Sequence, residues 1–168
     1  MIQNNFIILS WLFTISITVH NIEEAIWLPK WSASAGRWHH PVEPRVFRFA
    51  VLILTILAYV AAILASIGEK QSIGAYLITG YALSMLLNVL FPHIIATFAL
   101  KKYAPGLITA LLLNLPTASA LLYVAVIEGY IDLNTFFYSG PLVTIIILGL
   151  IPILFAFGKK ILFHVKRN

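Results

Sequence analysis

Five apolar runs dominate the chain, and each is about twenty residues long or longer. They cover residues 6–28, 47–67, 73–100, 105–127 and 136–157. Because a helix rises about 1.5 Å per residue, roughly twenty residues cross the hydrocarbon core of a bilayer. The 168-residue chain is 61% hydrophobic and only 10% charged, whereas a soluble domain carries about 25% charged residues. The sequence therefore predicts one all-α domain over residues 1–168, a polytopic membrane protein built as a bundle of about five transmembrane helices.

Proline and tryptophan refine this prediction. The third run contains Pro92, and a proline inside a helix removes a backbone hydrogen bond, so we expect a kink or a tilt there. The first run is interpreted as a retained helix, because no Lys or Arg precedes it and no signal-cleavage site follows it. Trp27, Trp31 and Trp38 are typical of an interfacial aromatic belt, and residues 31–48 are predicted to lie along the membrane surface.

The basic residues predict the orientation. With the N-terminus outside and the C-terminus in the cytoplasm, ten of the eleven Lys and Arg residues lie on the cytoplasmic side, which the positive-inside rule favours. We therefore expect a multi-pass protein of the cell's inner (plasma) membrane, with the lipid bilayer as its partner. The net charge of +5 does not indicate a nucleic-acid partner, because the basic residues lie between apolar spans and not along one soluble face.

Three ionisable residues near the end of the first run are the first candidates for chemistry. His20, Glu23 and Glu24 fall within a sector of about 100° on one helix, so they project from one face. Charged groups in a membrane span are costly and need a partner or a function. An imidazole and two carboxylates in this arrangement are typical of half of a metal site for zinc, iron or manganese.

Other polar residues are predicted to lie at a similar depth. His93 and Asn114 are about as far from the cytoplasmic ends of their spans as His20 is from its own, in the inner half of the bilayer, and Asn88 lies nearer the midplane. Asn88 and His93 are about 140° apart on an ideal helix, so both face one site only if Pro92 distorts the turn. His39 and His40 can approach from the cytoplasmic loop, and the alternative is that they are ordinary loop residues.

Simpler interpretations of the same residues stay open. Glu23 and Glu24 could reach the interface and pair with arginine, and His20 could be a neutral hydrogen-bonding residue between helices. His93 and Asn114 each lie next to or near a proline and could bond carbonyl groups that the proline frees. The arginines available for pairing are Arg37, Arg45 and Arg48.

Cysteine is absent, so disulfides and thiolate chemistry are excluded. The chain also lacks a glycine-rich phosphate loop, an H-E-x-x-H zinc motif and a G-x-S-x-G nucleophile elbow. No short catalytic motif of these kinds therefore identifies a function.

Two blocks of sequence resemble the HXXEE-domain membrane proteins. The first block is His20-Asn21-Ile22-Glu23-Glu24 with Trp27-Leu28-Pro29-Lys30-Trp31. The second is Asn88-Val89-Leu90-Phe91-Pro92-His93, then Tyr103-Ala104-Pro105-Gly106-Leu107-Ile108-Thr109-Ala110 and Asn114-Leu115-Pro116. The resemblance spans about residues 7–120 and implies a bacterial membrane protein whose histidines and glutamates suggest an enzyme without naming the reaction.

A second likeness is an analogy only. CAAX-type glutamate intramembrane proteases are similar in using a Glu-Glu pair with histidines and an asparagine. Their E-E-x-x-x-R pattern is missing here, because Leu28 stands four residues after Glu24.

The preferred hypothesis is a metal-dependent integral membrane enzyme that hydrolyses a lipid or another membrane-soluble substrate. His20, Glu23 and His93 are the expected metal ligands, Glu24 is the expected general base, and Asn88 or Asn114 is expected to stabilise an oxyanion. The sequence leaves Glu23 and Glu24 interchangeable. Two alternatives remain: an ion or proton transport protein, which would need to form an oligomer, and a non-catalytic accessory protein.

Overall fold

The computed structural model describes residues 5–36 and 40–164. In these ranges, five helices are long and apolar enough to cross a membrane. They are α1 (Asn5–Ser32), α2 (Pro44–Ile67), α3 (Ile73–Leu100), α4 (Leu107–Ile127) and α5 (Leu133–His164). The prediction of an all-α, multi-pass membrane protein is confirmed.

Polar residues cap the beginnings of two helices, and one of these helices begins before its apolar run. Glu43 precedes α2 and accepts a hydrogen bond from the N–H of Val46 at 2.7 Å, so the helix begins three residues before the apolar run. Ser72 caps α3 in the same way. Of the segment predicted to lie on the membrane surface, α1 takes the first two residues, and residues 37–39, with Trp38 and His39, lie outside the described ranges.

The predicted kink in α3 is confirmed. The helix is regular over Ile73–Asn88 and again over Ile95–Leu100, and between them Phe91 has an extended conformation with φ −132° and ψ 121°. Phe91 directly precedes Pro92, and a residue before proline avoids the helical region because of a clash with the proline ring. The break turns the second part of the helix relative to the first.

Helix α4 is irregular near its beginning. Gly106 precedes it with φ +93°, a conformation that favours glycine. Over Ala110–Asn114 the turn is wider than an α-helix, and the N–H of Leu115 donates to the carbonyl of Ala110, five residues back. Such wide turns are frequent at functional sites.

Helix α3 lies at the centre of the bundle and contacts α2, α4 and α5, while α1 packs against α2 and α4. Small residues allow close approach: a Cβ at Gly74 of α3 would come within 2.3 Å of the carbonyl oxygen of Leu64 in α2. Helix α5 presents large apolar side chains to the surroundings, with Ile145 66% exposed. These packed helices bring α1, α3 and the start of α4 together around the polar residues.

Candidate metal centre

Two histidines and one glutamate converge inside the bundle. The Oε1 atom of Glu24 lies 3.8 Å from Nε2 of His20 and 3.3 Å from Nε2 of His93. The two imidazole rings are 5.0 Å apart between centroids and nearly perpendicular. Both histidines are buried, each 1% exposed, and the Glu24 side chain is 13% exposed. The Glu24 carboxylate therefore faces two imidazole nitrogens in a largely buried position.

The helix geometry explains this convergence. His20 and Glu24 are one turn apart on α1, so they share a face. His93 follows the break at Phe91, and this break allows both Asn88 and His93 to face the same site, as the sequence required. The Nδ2 atom of Asn88 lies 3.3 Å from Nε2 of His20 and 3.1 Å from Nε2 of His93, so its two N–H bonds can serve both rings.

The three donor atoms have the spacing of a small metal site. One donor atom each from His20, Glu24 and His93 lies within 4.8 Å of the others. In a tetrahedral site, bonds of about 2.0–2.1 Å place neighbouring ligand atoms roughly 3.3–3.5 Å apart. The distances from Glu24 to the two rings are therefore close to those that a bound ion would set. Three protein ligands also leave a coordination position open, which is typical of catalytic rather than structural sites.

Glu23 faces a different set of partners. Its Oε1 atom accepts hydrogen bonds from the hydroxyl of Tyr103 and from the N–H of Gly106 at 2.8 Å. Its Oε2 atom accepts from Oγ1 of Thr109 at 2.6 Å and from the N–H of Thr109 at 3.4 Å. Four donors thus occupy the carboxylate, so the structure brings Glu24, and not Glu23, to the two histidines.

The sequence left open that Glu23 and Glu24 pair with arginine at the membrane interface. Among the residues that the structure describes, neither Glu23 nor Glu24 forms an ion pair with Arg45 or Arg48. Arg48 instead donates from Nε to the carbonyl oxygen of Ala25 at 3.1 Å. Arg37 lies outside the described residues.

The residues that hold Glu23 were not predicted to have a role in the site. Tyr103, Gly106 and Thr109 are the Y, G and T of the Y-x-P-G-x-x-T-A block, and this placement was the only signal that could have identified them. Gly106 also lies close to the candidate metal ligands, because a Cβ there would come within 2.6 Å of Cε1 of His93 and 2.9 Å of Cε1 of His20. Partial burial and the hydrogen bond to Glu23 raise the pKa of Tyr103 to about 12, so its phenol is a donor at neutral pH.

A cavity of about 110 Å³ adjoins the candidate metal centre. His20, Glu24 and Asn88 form a polar part of its wall. Asn21 of α1 and side chains of α2, α3 and α5 form the rest, among them Leu54 and Ile147. The cavity is therefore a mainly apolar space that reaches His20 and Glu24 from inside the bundle.

A larger groove of about 1020 Å³ lies along another face of α1. Val19, Ile22 and Trp27 line it together with the first residues of α4 and the Glu23 carboxylate. The adjacent residues Glu23 and Glu24 thus line two different spaces.

The remaining predicted residues form no described hydrogen bond or ion pair with His20, Glu24 or His93. Asn114 is fully buried at the end of the wide turn in α4, and neither side-chain polar atom has a hydrogen-bond partner within the described ranges. His40 is exposed and does not belong to the group of His20, Glu24 and His93. His39 lies outside the described residues.

Comparison with known proteins identifies the family. The model described as "Protein of unknown function with HXXEE motif" matches residues 11–121, which include both sequence blocks around the candidate metal centre. The chain belongs to the HXXEE family. The chain is also 44% identical over 149 residues to uncharacterized protein YrkK of Bacillus subtilis (strain 168), covering 89% of this chain and 94% of that protein. No solved structure matches the chain significantly.

Proposed function

We propose that this HXXEE protein is a metal-dependent membrane enzyme that hydrolyses a lipid or another membrane-soluble substrate. The observation that carries the proposal is the convergence of His20, Glu24 and His93 beside a mainly apolar cavity. Buried ionisable residues in a membrane span are costly, and holding a divalent ion would compensate for this cost. Zinc, iron or manganese each accept two imidazoles and a carboxylate.

His20, His93 and Glu24 each have a proposed role in the reaction. His20 and His93 would hold the ion through a ring nitrogen, and Glu24 would hold it through one carboxylate oxygen. When bound, the ion would polarise the substrate carbonyl group and acidify a water molecule. The second carboxylate oxygen of Glu24 is the proposed proton acceptor, so this residue keeps the base role that the sequence suggested.

Asn88 is the proposed donor to the developing oxyanion, because its two N–H bonds would be released from the rings if both Nε2 atoms held an ion. Its amide nitrogen lies within 3.3 Å of the Nε2 atoms of both histidines, and Asn88 also lines the cavity proposed to hold the substrate. Asn114 is the weaker candidate, because the described residues that line the cavity do not include it. Glu23 is assigned no direct contact with the substrate, since four donors occupy its oxygens.

The cavity wall suggests the chemical class of the substrate. Among the described lining residues there is no Lys or Arg, and most of the wall is apolar. A phosphate group would have no cationic side chain to pair with in this wall, whereas a neutral ester or amide carbonyl needs none. We therefore favour an acyl ester or amide with an aliphatic chain.

Elemental mass spectrometry of the protein purified in mild detergent tests this function. Near-stoichiometric zinc, iron or manganese, lost in a His20→Ala, Glu24→Ala double variant, is the expected result. Wild-type protein should then hydrolyse p-nitrophenyl esters in micelles, and the double variant should not. Folded protein that takes up no metal after reconstitution would exclude the proposal and leave the transport and accessory alternatives.

A further inference from the structure

Thr109 connects Glu23 to His20. Its Oγ1 atom lies 2.6 Å from Oε2 of Glu23 and 3.0 Å from Nδ1 of His20. The carbonyl oxygen of Gly106 is a third neighbour at 3.1 Å. A threonine hydroxyl has a single proton to donate and can also accept hydrogen bonds.

The available protons determine the direction of these bonds. Glu23 and the Gly106 carbonyl can only accept, and the shorter bond leads to the charged carboxylate, so the hydroxyl donates to Glu23. The contact with His20 then has to be donated by the ring. His20 therefore carries its proton on Nδ1 and has a lone pair on Nε2.

Asn88 gives independent support from the other side of the ring. Its Nδ2 atom lies 3.3 Å from Nε2 of His20 and can only donate, so Nε2 must accept. The two sides of the imidazole thus require the same tautomer. In the metal-free protein the Nε2 lone pair of His20 accepts the hydrogen bond from Asn88, and a metal ion held by this nitrogen would replace that hydrogen bond.

We propose that Thr109 is a positioning residue that relays the charge of Glu23 to His20 and fixes the Nδ1–H tautomer of that histidine. Glu23 is then the anchor of a carboxylate–hydroxyl–imidazole chain and not a metal ligand. Partners of this kind orient metal-ligating histidines and raise their basicity. The effect on metal affinity rests on the proposed function, but the tautomer of the metal-free protein does not.

Nitrogen NMR of protein labelled with ¹⁵N-histidine tests the tautomer directly. The metal-free protein is studied in detergent at mildly alkaline pH, and His20 is assigned by its loss in His20→Gln. In wild type we expect the proton on Nδ1. Because Asn88 favours the same tautomer, Thr109 is tested in an Asn88→Ala background, where Thr109→Val should redistribute the proton between the two nitrogens and Thr109→Ser should return it to Nδ1. The signal of His40 should stay unchanged in both variants.

Zinc titration of the same variants gives the second readout. Thr109→Val should lower zinc affinity by about 10–100-fold and Thr109→Ser by much less. A wild-type His20 with its proton on Nε2 would overturn the inference, even if Thr109→Val did not fold. An unchanged tautomer in folded Thr109→Val, Asn88→Ala protein would also overturn it. A protein that binds no zinc but shows the expected tautomers would contradict the proposed function and leave the inference standing.

Discussion

Gly106 lies so close to His93 that a Cβ on the glycine would come within 2.6 Å of Cε1 of the ring. The same Cβ would lie 2.9 Å from Cε1 of His20 and 3.1 Å from Cγ of Glu24. A side chain at this position would therefore crowd all three members of the candidate ligating group. Gly106 also donates its N–H to the Glu23 carboxylate, so this one position is next to both glutamates of the HXXEE motif.

Gly106→Ala should therefore disrupt metal binding. The methyl group would displace both imidazoles, and φ +93° strains any residue with a Cβ by about 1 kcal/mol or more. We expect zinc affinity to fall at least tenfold and the unfolding temperature to fall as well. Gly149→Ala is the matched control, because a Cβ there meets nothing within 4 Å. Equal zinc affinity in the two variants would contradict the close packing of Gly106.

Exchanging the two glutamates separately should distinguish their roles. Glu24→Gln removes a proposed ligand, and we expect near-stoichiometric zinc to be lost. Glu23→Gln weakens the support of His20, so zinc should still bind at one ion per chain with about 10–100-fold lower affinity. Isothermal titration gives both quantities, and the visible spectrum of bound cobalt reports whether the ligands change. Glu69→Gln, in the loop before α3, should behave as wild type. The assignment is wrong if Glu23→Gln abolishes binding and Glu24→Gln does not.

Removing the hydroxyl of Tyr103 should destabilise the protein by about 1 kcal/mol, because one donor to Glu23 is lost. The pKa of Tyr103 is raised to about 12 in the folded protein, from about 10 in an unfolded chain. Its contribution is therefore complete below pH of about 10 and decreases as the pH rises towards about 12. Thermal unfolding of Tyr103→Phe at several pH values measures this difference. Tyr138→Phe, at a residue 75% exposed on α5, serves as the control.

Filling the cavity should reduce hydrolysis without removing the metal. Leu54 lines the cavity, whereas Leu52 on the same helix is 57% exposed. Leu54→Phe should lower the turnover of p-nitrophenyl esters, most strongly for longer acyl chains, while zinc content stays near wild type. Leu52→Phe makes the same change outside the cavity and should leave turnover unaltered. Identical rates for both variants would argue against the cavity as the substrate site.

The orientation can be tested because the chain contains no cysteine. Single cysteines at Lys70 and Lys102 should react differently with a membrane-impermeant maleimide applied to intact cells. Lys70 lies between α2 and α3 and is expected outside, and Lys102 lies between α3 and α4 and is expected in the cytoplasm. Labelling of Lys102→Cys but not Lys70→Cys would reverse the proposed topology.

The helices were predictable because hydrophobic length determines a membrane span almost by itself. The kink in α3 was predictable because the restriction that Pro92 places on Phe91 is local in sequence. Helix ends were less accurate, because hydropathy does not register a polar cap such as Glu43.

Which of Glu23 and Glu24 faces the two histidines was not predictable from the sequence of α1 alone. The two residues are three and four positions after His20, and both spacings place a side chain next to the imidazole. Which of them meets His93 depends on where α3 and α4 pack around α1, and that is tertiary information. Thr109 was missed because an uncharged threonine near a helix start has many ordinary explanations.

Helix α1 separates the cavity from the groove, because Glu24 lines the cavity and Glu23 lines the groove. One extra residue between His20 and Glu24 would rotate the residues after it by about 100° around the helix axis. Different side chains would then line the cavity and the groove. Its spacing from His20 to Glu24 should therefore tolerate no insertion or deletion in any working relative. Helix α5 contributes apolar wall alone to the cavity, so its sequence is free to drift as long as it stays hydrophobic.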